Sequence, residues 1–313
     1  MMAAIDRSGL RPELRAMLEA ADASGAPTLD RQTPEEGRAS SEAGIPLLWG
    51  ELESVAAIED LWLDTHAASL RARLYRPAGA RGTILFFHGG GWVIGSIDTH
   101  DGGCRMLANA TPANVLSVEY RKGPENPFPA AVIDADASLD WLLANGPRLG
   151  LDTSAIVVAG ESAGATLAAV VARHARDRGI ALAGQALVYP PTATKMNTKS
   201  YEMNARGFNL TRAAMQWFYR YYVSEADHAH PDAAPLLAAD LSNLAPAYIV
   251  AAEFDPLRDE DRAYAARLIE AGNDVTYREM KGVVHGLWVM NSVGPATGEM
   301  IRGVADWIAS RWR

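Results

Sequence analysis

Apolar and polar positions along this chain follow two different periods. In residues 11–21, Leu14, Met17, Leu18 and Ala21 recur at the three-to-four-residue spacing of one helix face. Thr33-Pro34-Glu35-Glu36 signals a second, short helix. The Thr33 hydroxyl can accept from the Glu36 amide, Pro34 suits the first helical position, and Glu36 can reach back to the Thr33 amide. Between the two, residues 22–31 are polar and read as a loop.

The period then changes. Residues 54–63 and 70–75 partly alternate, as half-buried strands do. Residues 82–87, Gly-Thr-Ile-Leu-Phe-Phe, form a short continuous apolar run, which suits a strand buried on both faces. Residues 114–120, 155–159, 185–189 and 248–252 are similar, with helical stretches at 129–144, 163–177 and 257–271. A strand near 274–280 and a helix near 295–311 end the pattern. Strand alternating with helix predicts an α/β fold whose mostly parallel sheet carries helices on both faces.

Residues 194–231 break the alternation. The helix expected at 212–223 is dense in large side chains: Met215, Trp217, Phe218, Tyr219, Tyr221 and Tyr222. It separates two strands that need only a short crossover, so it reads as an insertion capping a pocket above the sheet. The expected organisation is an N-terminal helical cap segment (1–45), a first part of the core (46–193), the cap insertion (194–231) and the rest of the core (232–313).

Composition narrows the function classes. The 313 residues are 49% hydrophobic, enough for one large core or two smaller ones. A net charge of −9, with basic residues single or paired as in Arg121-Lys122, argues against nucleic-acid or anionic-membrane partners. No apolar run approaches the roughly 20 residues that cross a bilayer. Residues 1–10 lack a basic start followed by an apolar stretch, so the reading is a cytoplasmic protein without a secretory leader. The one cysteine, Cys104, cannot form an internal disulfide and has no histidine placed to activate it, so it reads as a packing residue.

The strongest local signal is Gly160-Glu161-Ser162-Ala163-Gly164, between an apolar strand and a helix. That strand–turn–helix setting lifts the Ser162 hydroxyl above the sheet edge and aims a helix N-terminus at the site. A serine hydroxyl needs a base, and the base an orienting acid. His285 directly follows the last expected strand and can reach over Ser162. His228 and His230, an H-x-H pair in the insertion, read as a solvated loop rather than a metal site, and His174 lies too far along its helix. Asp255, where Pro256 stops a strand, is the favoured acid, with Glu253 and Asp259 as rivals.

His88-Gly89-Gly90-Gly91-Trp92 is the second signal. Its glycines let backbone amides approach a substrate, where each aimed N–H can be worth about 3–4 kcal/mol in the transition state. Amides of this loop together with that of Ala163 are the expected oxyanion hole. The lysine and hydroxyl residue of a phosphate loop are missing. His88 reads as an anchor for the loop.

Taken together, these segments resemble the bacterial members of the hormone-sensitive-lipase family of esterases. The likeness is carried by His88-Gly-Gly-Gly-Trp92, Thr99-His100-Asp101, Tyr120-Arg121, Pro124-Glu125 and Pro127-Phe-Pro-Ala-Ala131. It continues through Gly160-Glu-Ser-Ala-Gly164, Tyr189-Pro190, Asp255-Pro-Leu-Arg-Asp259 and His285-Gly286. The resemblance implies an α/β-hydrolase fold with an eight-stranded core and a helical cap. It also implies a triad of Ser162, Asp255 and His285, with oxyanion donors among Gly90, Gly91 and Ala163, and Gly89 as a further candidate. The family more often has Asp at Glu161, Gly at Ala165 and Leu-Ala at Lys122-Gly123.

The expected function is hydrolysis of small carboxylic esters, of short to medium acyl chain by resemblance, through an acyl-enzyme and without metal or organic cofactor. An amidase, carbamate hydrolase or lactonase could use the same groups. A non-catalytic receptor on the same scaffold is the reading from another class. The oligomeric state stays open, a homodimer included.

Overall fold

The computed structural model of the protein describes residues 5–312. The expectation of no leader in residues 1–10 therefore falls in part outside the described residues. Helix α1 (Pro12–Ser24) buries Leu14 and Leu18 and ends at Gly25 in the left-handed conformation. A single 3₁₀ turn, Leu29–Arg31, leads to α2 (Pro34–Trp49). The Thr33 hydroxyl accepts the Glu36 amide, and the Thr33 amide donates to Glu36 Oε2 at 2.8 Å, closing a capping box. This helix is longer than expected and passes residue 45 with Pro46 inside it. Its last turn is held by Trp49, whose indole lies over Gly102 and donates to the Thr99 carbonyl at 3.0 Å.

The remaining elements alternate. They are β1 (Ala57–Asp64), β2 (Ser69–Arg76), β3 (Gly82–Phe87), α3 (Asp101–Ala110), β4 (Ala113–Val118), α4 (Ala130–Asn145), β5 (Ile156–Glu161) and α5 (Ala163–Asp177). Then follow β6 (Gly184–Val188), α6 (Lys199–Met203), α7 (Arg212–Tyr222), β7 (Ala247–Phe254), α8 (Arg258–Glu270), β8 (Val275–Val284) and α9 (Ala296–Ala309). The eight strands form one sheet in the order β1-β2-β4-β3-β5-β6-β7-β8. Only β2 runs against its neighbours; every other pairing is parallel.

Strand periodicity divides the core in two. In β3, Leu85 and Phe87 join the cluster under α4, α5 and α8, while Ile84 and Phe86 join the one under α1, α3 and α9. Each fully buried side chain of this size contributes about 1.5–3 kcal/mol. The parallel strands all end on one side, so the segments after β3, β5, β7 and β8 converge there. Among the described residues no helix is long and apolar enough to cross a membrane.

Candidate active site

Ser162 sits where β5 turns into α5. Its φ of 52° and ψ of −123° are strained for a residue with a side chain. Its amide donates to the Val188 carbonyl at 2.8 Å, which ties the turn to the end of β6. The turn can be this tight because Gly164 lies against β3: a Cβ there would stand 2.0 Å from the Phe87 carbonyl oxygen. Ser162 is thus held rigidly at the sheet edge with its hydroxyl free to meet a base.

The base candidate reaches it. His285 directly follows β8, and its Nε2 lies 2.9 Å from Ser162 Oγ. Its Nδ1 lies 2.7 Å from Asp255 Oδ2. A carboxylate accepts only, so Nδ1 carries the proton and Nε2 is left to accept from the serine hydroxyl. Asp255 is fully buried just after β7, and its Oδ1 accepts the Leu257 amide at 2.9 Å. Burial alone lowers the His285 pKa. The charge and hydrogen bond of Asp255, with the charge of Glu161, outweigh it, and the net shift is upward. The ring is flanked by Tyr189 at 4.4 Å between centroids, and Asn209 donates to the His285 carbonyl at 3.0 Å.

The rival acids lie elsewhere. Glu253 accepts the Gly282 amide and pairs with Lys281, while Asp259 accepts the Ser200 amide and pairs with Arg258.

The glycine loop differs from expectation at one residue. The Gly89 amide donates to His100 Nε2 at 3.1 Å, and a Cβ on Gly89 would collide with the Glu161 carboxylate. Gly89 therefore cannot also donate to a substrate oxyanion. The amides of Gly90 and Gly91 have no partner among the described residues, and Ala163 heads α5, where helix amides are unsatisfied. His88 anchors the loop. Its ring stacks on Tyr120 at 4.3 Å, Nδ1 lies 2.7 Å from the Gly89 carbonyl, and burial holds its pKa well below the ordinary histidine value.

Two neighbours escaped the sequence reading. His100 accepts from Gly89 through Nε2, so its proton sits on Nδ1, facing Thr99 Oγ1 at 2.9 Å. Glu161 Oε2 lies 3.3 Å from the same His100 Nε2. Glu161 is the last residue of β5 and is buried, so the acid in the nucleophile motif faces the glycine loop rather than solvent. The motif Thr99-His100-Asp101 was the available signal.

The other histidines stand apart. His174 is clamped between Asp136 at 2.6 Å and Asp232 at 3.0 Å, and these hydrogen bonds, chiefly that of Asp136, raise its pKa to about 9. His230 packs edge-on against Phe128, and among the described residues no group of three or more metal-ligating acid, His or Cys side chains is assembled. Cys104 is buried, which pushes its thiol pKa up.

Over Ser162 lies a cavity of about 410 Å³. Leu29 and Asp30 from the 3₁₀ turn, Ile45 and Leu48 from α2, and Leu210 and Phe218 from the inserted region all line it. The segments expected to cap the sheet thus border the site.

A strained serine between strand and helix on an eight-stranded sheet defines the α/β-hydrolase class. A family model described as alpha/beta hydrolase fold matches residues 84–289. The chain is 41% identical over 250 residues to the esterase LipI of Mycobacterium tuberculosis, covering 77% of this chain and 78% of that one. It is 36% identical to an ethyl acetate hydrolase of Pseudomonas putida, over 91% of this chain and 93% of that one. An ester hydrolase from the metagenome of Lake Arreo, solved with a bipyridine phosphonate derivative, superposes with a TM-score of 0.93 at 37% identity, covering 97% of this chain and 99% of that one. The chain belongs to the hormone-sensitive-lipase-like family of α/β-hydrolase carboxylesterases and is a carboxylic ester hydrolase of the serine type.

Proposed function

We propose that the chain hydrolyses small carboxylic esters by two acyl transfers, with Ser162 as nucleophile, His285 as general base and acid, and Asp255 as the group that orients the imidazole. One observation carries this reading: the continuous chain from Ser162 Oγ to His285 Nε2 at 2.9 Å and from His285 Nδ1 to Asp255 at 2.7 Å. In the first step His285 takes the Ser162 proton as Oγ bonds to the ester carbonyl carbon. The amides of Gly90, Gly91 and Ala163 receive the oxyanion. Collapse breaks the bond to the alcohol, which leaves with the proton from His285. Water, deprotonated by His285, then releases the acid and restores Ser162. No metal or organic cofactor takes part.

The N-terminal segment and the inserted region act as the cap in this reading. Their apolar side chains and the size of the cavity favour esters of short to medium acyl chain. The test is Ser162→Ala on a series of chromogenic esters of graded acyl length, with labelling by a fluorophosphonate probe. The wild-type protein should label at Ser162, and the variant should lose both labelling and turnover. Normal turnover by the variant, or an unlabelled wild-type protein, refutes the reading; the second outcome is what a ligand-binding role without turnover gives.

A further inference from the structure

Charge is distributed unevenly around the cavity over Ser162. None of the residues lining it is Lys or Arg. Two carboxylates line it, Glu161 and Asp30. Glu161 is buried at the floor and lies 3.3 Å from His100. Asp30 is half-buried in the 3₁₀ turn between α1 and α2, and its carboxylate makes no hydrogen bond or ion pair with any described residue. Arg31, next in the chain, is exposed and does not line the cavity. The aromatic residue Phe218 lines the same space.

A carboxylate placed in a pocket without a partner is a site that a ligand's charge can complete. A quaternary ammonium or protonated amine gains the attraction of Asp30 and, against a ring face such as that of Phe218, a cation–π contact. A free carboxylate or phosphate on the substrate meets the like charge of Asp30 and finds no Lys or Arg to pair with. The net charge of −9 biases diffusional encounter in the same direction.

We infer that this esterase selects substrates by charge, and that Asp30 makes esters bearing a quaternary ammonium or protonated amine its preferred class over neutral isosteres, with anionic esters disfavoured. The inference rests on the ester-hydrolase reading and adds to it a substrate class and a residue that sets it. Because Asp30 is only half-buried, solvent screens it, and the preference over a neutral isostere is about three- to tenfold at low salt.

Matched pairs of esters test this. On the alcohol side the pair is butyrylcholine and the butyrate ester in which the quaternary nitrogen is replaced by carbon. On the acyl side it is the methyl ester of trimethylammonio-butyrate and its all-carbon counterpart. The readout is the ratio of kcat/KM, cation over neutral, within one protein, so that a general loss of activity or folding in a variant cancels. The ratio should exceed about three in at least one pair. It should fall toward one in Asp30→Asn and at high salt, and return in Asp30→Glu. Ratios at or below one in both pairs, or a ratio unmoved by Asp30→Asn, overturn the inference while leaving the esterase intact. If no ester of either pair turns over, the ester-hydrolase reading itself fails, and the inference with it.

Discussion

Replacing Asp255 by Asn should separate activity from stability. Both carboxylate oxygens are in use: Oδ1 accepts the Leu257 amide at 2.9 Å and Oδ2 accepts from His285 Nδ1 at 2.7 Å. Asparagine keeps one acceptor. With its oxygen toward Leu257, its NH₂ faces His285 Nδ1, and the imidazole satisfies that donor by moving its own proton to Nε2. Nε2 then confronts Ser162 Oγ as a donor and no longer as a base. The opposite flip sets the NH₂ against the Leu257 amide and strands a buried donor, which costs about 1–3 kcal/mol. The first arrangement therefore wins, and kcat/KM should fall about ten-thousand-fold, or about 5 kcal/mol of barrier.

Stability should respond differently. Glu260 and Asp261, both fully buried at the start of α8, have pKa values pushed well up, by burial first and then by the charge of Asp255. Asparagine removes that repulsion as it removes a charge-assisted hydrogen bond of about 1.5–3 kcal/mol. The two changes oppose each other, and the melting temperature should move by only a few degrees. The assay pairs kcat/KM on a neutral butyrate ester with a thermal melt of the same sample. A loss of less than about tenfold would refute the tautomer argument. A collapse of the melt would show that Asp255 acts chiefly as a structural group.

Three further outcomes follow from the same geometry. Glu161→Gln removes a negative charge that helps to raise the His285 pKa, so the acidic limb of kcat/KM should move to lower pH, and an unmoved limb in a folded variant would contradict the electrostatic link. His174 gains stability from its charged form, so that contribution is complete below the ordinary value of 6.5 and is lost as pH rises through about 9; in His174→Asn, melts across this window should lose that decline, whereas a parallel curve would refute the clamp. Glu260 holds its proton in the folded protein and releases it in the unfolded chain above the ordinary value of 4.5, so its contribution falls as pH rises from there; Glu260→Gln should flatten part of that fall in melts taken from acid to neutral pH, and an unchanged slope would mean that Glu260 is already ionised in the fold.

The fold was legible where burial is symmetric. The runs at 82–87 and 163–177 read to the residue as β3 and α5, because a strand covered on both faces and a small-residue helix behind it leave unambiguous patterns. The strands that lead to Ser162 and Asp255 were legible for the same reason, whereas β8, before His285, is half-exposed along most of its length and extends past the expected end at 280. Residues 22–31 were not: a polar stretch has no period, so nothing marked Asp30 as a pocket residue. Helix α6 has five residues, too few to show a period. The acids of α8 were hidden by a different cause. Asp259, Glu260 and Asp261 look like ordinary first-turn charges on an exposed helix start, yet the last two face inward. Gly89 was misread because a glycine run does not say which amide points where. That depends on His100, eleven positions on, whose ring nitrogen claims the first amide.

The neighbourhood of His285 shows why so many acids gather around one imidazole. A buried imidazole resists protonation, and His285 is buried by the end of β8 and the Tyr189 ring. To serve as a base it must become an imidazolium at the transition state without leaving that environment. Asp255 supplies a charge in contact and Glu161 a second from the nucleophile motif, and their sum exceeds the burial penalty. Concentrating charge there has a consequence for the packing behind it. Glu260 and Asp261 cannot ionise freely beside Asp255, so their carboxyls are held toward the neutral form. On the proposed reading, a substrate in the cavity over Ser162 meets a field set to receive positive charge, first on its own groups at Asp30 and then on His285 as the reaction proceeds.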